Sequence, residues 1–382
     1  MLTLGTLLLT TAIQASAQSN GTSDHAAVPA VQATRITGAI RIDARLDETD
    51  WSRAAPATVF TQVDPDEGAP SSERTEVRFL ISDDALYIGA RLYDRDPTAI
   101  KSTLARRDEP AESDLFEVFL DPYHDHLSGV RFRVNPAGSI REAAMRSSGG
   151  EDSSWDPIWE AEARVDSLGW VAEMRIPLSQ LRYNRHDEAV WGLQMGRVIF
   201  RKGEASFFSF VPKTESFGVN RFGHLTGLGQ VAPQQRVEVL PYMLARAEYT
   251  DVASGNPFRD GNDYFGEFGG DLKYGLTSDL TLDVTVNPDF GQVEVDPAVV
   301  NLSEFETFFP EKRPFFIEGA NVFRFGRVRS FNSSGFPTFF FSRRIGRRPQ
   351  GSAGGGNVLF PDAPNQTTII GAAKITGRTS NG

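Results

Sequence analysis

The sequence predicts an all-β chain: an antiparallel, jelly-roll-like β-sandwich over residues 34–232, followed by long antiparallel strands of an incomplete β-barrel over residues 236–382. Three observations carry this expectation. Short runs rich in Val, Ile, Leu and Phe recur between turn residues through the first half, with few helical stretches. Pro233-Gln234-Gln235 then interrupts the pattern. Beyond it, apolar and polar residues alternate over strands of the length that outer-membrane barrels use.

The elements follow in order. A short helix is expected over Asp47–Ala54, with Asp47 capping and Trp51 turned inward. Strands are expected at Glu76–Ile81, Leu86–Leu92, Leu115–Leu120, Val130–Val134 and Trp191–Phe200. Glu160–Val165 and Trp170–Ile176 read as a hairpin turned at Asp166-Ser167-Leu168-Gly169, and Pro177 ends its second strand because it has no N–H to donate. Trp51, Trp170 and Trp191 are assigned to the core.

In the second region, Tyr264, Gly266, Phe268, Gly270, Leu272, Tyr274 and Leu276 alternate with residues that include Glu267, Asp271 and Lys273. After Thr277-Ser278-Asp279, Leu280, Leu282, Val284 and Val286 alternate with Thr281, Asp283, Thr285 and Asn287; Arg236–Tyr249 and Ile369–Arg378 carry weaker versions. Two readings fit: a barrel with its apolar face to lipid, or a second soluble sheet with one face on a core. Glycines on the apolar face and the N-terminal run favour the barrel. So few strands cannot close one, which suggests a fragment of a longer protein.

The N-terminal LTLGTLLLTTAIQASAQ is an apolar run ending in Ala15-Ser16-Ala17, which predicts a signal peptide over 1–17 and export, with residues 18–33 as a flexible tether. Without cysteine the chain has no disulfide, thiolate metal site or cysteine nucleophile. The net charge of -11 and the expected export argue against nucleic acid as a partner.

Five segments in order resemble the family 9 carbohydrate-binding modules: Ile42–Glu48 with Trp51, Asp84–Ile88, Asp114–Asp121, Phe132–Asn135 and Gly169–Pro177. The resemblance covers about Ile36 to Gly229. Asn287–Glu294 and Phe308–Gly319 further resemble a bacterial family of unassigned function in which such a module precedes a probable outer-membrane barrel. The resemblance implies non-catalytic binding of an oligosaccharide or polysaccharide on an outer-membrane protein, in polysaccharide capture or carbohydrate catabolism, with the sandwich in the periplasm or at the cell surface. Structural calcium is the cofactor it implies, without a ligand pattern to name it.

A sugar site needs planar polar groups for hydroxyls and an apolar face for the ring. The resemblance places Glu117, Arg133 and Asn135 side by side as the polar half; Arg133 and Asn135, two apart, share a strand face. A structural Arg133–Glu117 ion pair is the alternative. Of the family's two stacking tryptophans, the first has no counterpart in Pro110–Ser113, and Phe217 stands near the second. Trp155 and Trp159 are the substitutes, against core packing for Trp159 and a fold-back of Trp155 over the end of the sandwich.

Asp121-Pro122-Tyr123-His124-Asp125-His126 suggests a metal site or, more simply, a solvated turn. Haem ligation by Met145, His124 or His186 has no distinctive spacing. Arg324, Arg327, Arg329, Arg343, Arg344, Arg347 and Arg348 form a basic region suited to phosphates, a lumen or solvent. No nucleophile-elbow, zincin, P-loop or dinucleotide motif occurs. The rival functions are a glycoside hydrolase acting on O-glycosyl bonds, and a porin or assembly protein with the sandwich as a structural domain.

Overall fold

The computed structural model describes residues 28–146, 150–183, 189–231, 236–277, 280–288, 311, 313–318, 342–347, 351, 359–360 and 367–377. Among the described residues, fourteen strands build the first region. They begin with β1 (Ala30–Gln32), β2 (Thr34–Arg35), β3 (Thr61–Asp64), β4 (Thr75–Ile81), β5 (Ala85–Tyr93), β6 (Leu115–Asp121) and β7 (Ser128–Val134). There follow β8 (Ile140–Arg146), β9 (Glu151–Asp152), β10 (Glu160–Asp166), β11 (Gly169–Pro177), β12 (Trp191–Ile199), β13 (Glu204–Phe207) and β14 (Gly223–Thr226). One sheet runs β1-β14-β12-β6-β7-β8-β9, with β13 joining β12 to β3, and the other runs β10-β11-β5-β4-β2.

Side chains alternate across each strand, and this decides what the sandwich encloses. Phe116, Val118 and Leu120 of β6 and Phe132 and Val134 of β7 face inward and meet Phe79, Ile88, Trp170 and Met174 of the opposing sheet in one core. Glu117, Phe119 and Asp121 of β6 and Arg131 and Arg133 of β7 therefore fall on the outer face of the larger sheet. Part of that face is covered: Phe119, Met145, Val219 and Phe222 form a separate cluster, with Phe207 and Phe217 packed against it.

The β10–β11 hairpin forms as its turn residues predict, with Asp166 paired to Gly169. Gly169 sits at φ 138°, and a Cβ there would lie 2.1 Å from the Leu92 carbonyl oxygen, so only glycine fits. The helix is shorter than expected: α1 spans Thr49–Arg53, and Glu48, not Asp47, takes the N-cap position, without a side-chain capping bond. The Asp50 carboxylate instead accepts hydrogen bonds from the Thr37 and Gly38 N–H groups at 2.9 and 3.1 Å. Trp51 is buried, as expected. The expected tether is corrected at its end, because β1 pairs in parallel with β14 and Val31 and Ala33 enter the core.

The second region is an antiparallel meander of β15 (Val237–Tyr249), β16 (Asn262–Gly275), β17 (Leu280–Val286) and β18 (Gly371–Gly377). Its burial is inverted relative to a soluble sheet. Met243 and Phe268, paired across β15 and β16, are 71% and 73% exposed, whereas Thr281, Asp283 and Thr285 on the polar face are buried. The polar face is covered by α2 (Pro314–Ile317) and its flanks, where Lys374 donates to the Phe315 and Glu318 carbonyls and Lys273 pairs with Glu318 at 2.8 Å. The sandwich meets the sheet through Gln180, which donates to Glu238 at 2.8 Å, and Arg182, which donates to Thr281 at 3.0 Å. Among the described residues these strands form an open sheet and not a closed barrel. The segment 1–17, His186, Arg324, Arg327, Arg329 and Arg348 lie outside the described residues.

Candidate functional site

Antiparallel register brings the polar candidates together. Glu117 pairs with Arg133 across β6 and β7, and Arg133 pairs with Arg141 across β7 and β8. The Arg133 Nε donates to Glu117 Oε2 at 2.8 Å, so the ion pair weighed from sequence is present. That bond uses one edge of the guanidinium. Its terminal nitrogens have no partner among the described residues, and its side chain is 23% exposed. Arg133 lines a shallow, open pocket of about 90 Å³ with Asn135, Arg141, Glu109 and the apolar Pro110, Leu115 and Ile140.

Asn135 lines the same pocket but works locally. Its Oδ1 accepts from the Ala137 and Ser139 N–H groups at 3.0 and 2.9 Å, and its Nδ2 donates to the Thr103 carbonyl at 2.7 Å. It shapes the turn after β7 and anchors the irregular segment around Thr103 beside the pocket. Glycine gives Glu117 its room: a Cβ at Gly196 would stand 2.8 Å from Glu117 Oε1 and 2.9 Å from the Phe207 ring. Phe207 in turn packs on Phe217, with ring centroids 5.4 Å apart. Phe217 is thus on the Glu117–Arg133 face, half-buried, but does not line the pocket.

The two tryptophan candidates go elsewhere. Trp159 is buried, its ring 5.0 Å from Phe132, and its Nε1 donates to Glu142 Oε2 at 2.9 Å. Trp155 is half-buried against the core with its ring 5.6 Å from Phe132. Since Phe132 points inward, both lie across β7 from Arg133; Trp159 takes the core packing weighed from the sequence, and the expectation that the two tryptophans join Glu117, Arg133 and Asn135 is corrected. Glu142, also inward, pairs with Arg107, and burial pushes its carboxyl up despite that partner and the indole.

Sequence reasoning missed Arg141, whose place opposite Arg133 is set by strand register, and His224, which joins His124 and His126 at the other end of β6. The His124 ring lies 4.8 Å from His126 and 5.1 Å from His224, close to the buried Asp121. Asp121 accepts from the His126 N–H at 2.9 Å, yet burial pushes its carboxyl up to about 6. The segment is therefore half-buried, against the expectation of a solvated turn. No group of three or more histidine or acidic side chains among the described residues is placed to hold a metal ion. Met145 is packed into the Phe119 cluster.

Residues 42–203 match the family described as carbohydrate family 9 binding domain-like. The sandwich is similar to that family. Residues 233–382 match a domain of unknown function, DUF5916. A family 9 module from Caldicellulosiruptor kristjanssonii in complex with cellotriose is 16% identical, with TM-score 0.38, over 52% of this chain and 93% of that one. The same organism's module in complex with glucose gives 15% identity and TM-score 0.38 over 52% and 95%. No curated protein matches the chain. In the family 9-like domain, the pocket lies where Asp114–Asp121 and Phe132–Asn135, two of the resembling segments, come side by side.

Proposed function

We propose that the sandwich binds carbohydrate in the Arg133 pocket and belongs to an outer-membrane protein that captures polysaccharide. The observation that carries the binding reading is the state of Arg133: Glu117 fixes its Nε edge, and its terminal N–H groups are left for a ligand's hydroxyls beside the apolar Pro110 and Leu115. Pre-alignment of this kind lowers the ordering cost of binding. Titration of the detergent-purified chain with cello- and xylo-oligosaccharides tests the reading. Saturable binding lost in Arg133→Ala supports it, and no binding across the panel overturns it.

The membrane reading rests on the inverted second sheet. An apolar face turned outward and a polar face covered by the chain's own segments suits lipid outside and a polar interior, and the sheet then forms part of a barrel wall. Barrels of this type place short turns in the periplasm and long loops outside. The β16–β17 connection is the short one, and the sandwich contacts Glu238, Thr281 and Thr376 at that end, which favours a periplasmic sandwich. Those contacts also favour a second role, docking the sandwich over the end of the barrel as a structural domain. Fractionation with the outer membrane, and protection of the sandwich from protease in intact cells, are the expected results.

A further inference from the structure

We infer that the pocket is built for an acidic oligosaccharide, one carrying a uronate carboxylate, with Arg141 as the residue that selects it. This rests on the carbohydrate-binding reading above and narrows it. Arg133 and Arg141 stand directly opposite each other in the β7–β8 ladder. Like charges at that spacing repel, so the pair is unfavourable without a counter-charge. Of these two arginines Glu117 bonds Arg133, through its Nε. Arg141 makes no hydrogen bond or ion pair among the described residues, and its Nε is buried without a partner. Glu109, the one carboxylate in the pocket lining, pairs with neither arginine there.

Two guanidinium groups facing one pocket, one of them with an unsatisfied buried donor, match a planar carboxylate better than a neutral hydroxyl. A carboxylate accepts two parallel N–H bonds from an arginine, satisfies the stranded donor and removes the repulsion between the two cations. A neutral sugar supplies only hydroxyls and leaves the second charge unanswered. The apolar Pro110 and Leu115 in the same lining leave room for the ring carbons.

The test compares each ligand with its own neutral form. Oligogalacturonides and glucuronic-acid-substituted xylo-oligosaccharides, and the same compounds with the carboxyl reduced to the primary alcohol, are titrated against the detergent-purified full chain at low and high salt. The acidic form should bind on the order of tenfold tighter than the reduced form at low salt, with the ratio shrinking as salt rises. Arg141→Gln should bring the ratio close to one, and Arg141→Lys should keep part of it. Equal affinity for the two forms, or a preference that survives in Arg141→Gln, overturns the inference while leaving carbohydrate binding in place. Binding of neither form overturns the underlying reading and this one with it. Circular dichroism of both variants separates lost selectivity from lost fold.

Discussion

The indole of Trp155 and the guanidinium of Arg133 lie on opposite faces of one strand: Trp155 packs at 5.6 Å on Phe132, which points into the core, whereas Arg133 points out to the pocket. A ligand held by Arg133 is therefore separated from Trp155 by the sheet. Trp155→Phe should leave oligosaccharide affinity within about twofold of the parent, while Arg133→Ala reduces it on the order of tenfold or more, the range expected for loss of charged hydrogen bonds. Isothermal titration of both variants checks this.

Trp159 serves stability. Trp159→Phe keeps the ring against Phe132 but removes the N–H donated to Glu142, a buried carboxylate. A loss of about 1–3 kcal/mol in urea unfolding is expected, with carbohydrate affinity unchanged.

Gly196→Ala should weaken binding without touching the ligand. The added methyl would press on Glu117 Oε1 and the Phe207 ring, and Glu117 is what holds the Arg133 Nε. A fall in affinity together with a stability cost of about 1–3 kcal/mol is expected, as for other over-packed sites.

Glu173 makes stability depend on pH. Burial pushes its carboxyl up to about 7 from an ordinary 4.5, although it accepts from the Asp43 and Ala44 N–H groups and the Trp51 indole. Between those two values the folded state holds a proton that the unfolded state has released, so stability falls as pH rises through that window and is level on either side. The fall amounts to about 3 kcal/mol at most. Denaturation of the parent and of Glu173→Gln between pH 4 and 8 checks this, and the variant should lack this component of the slope.

Phe268→Arg tests the lipid face. An arginine at the middle of a lipid-facing strand costs about 2–4 kcal/mol, so folding into vesicles should be impaired. Arg246→Ala, on the other face of the neighbouring strand, should fold normally.

By itself the sequence determined the class of the fold and most of its strands, because alternation and turn chemistry are local: the β10–β11 hairpin is legible in Asp166–Gly169, and the second sheet in Tyr264–Val286. The family resemblance pointed to Glu117, Arg133 and Asn135, and a spacing of two put Arg133 and Asn135 on one strand face. Short partners such as β13 and β14 carry too few residues for a periodic signal, and β1 forms only because Leu225 is there to pair with Val31. Tertiary packing alone settles which face Trp155 and Trp159 join, that Arg141 stands opposite Arg133, and that His224 meets His124. Those are contacts between segments far apart in the chain. Their register is set by the packing of the two sheets and by long-range strand pairing, which no local pattern of residue types records.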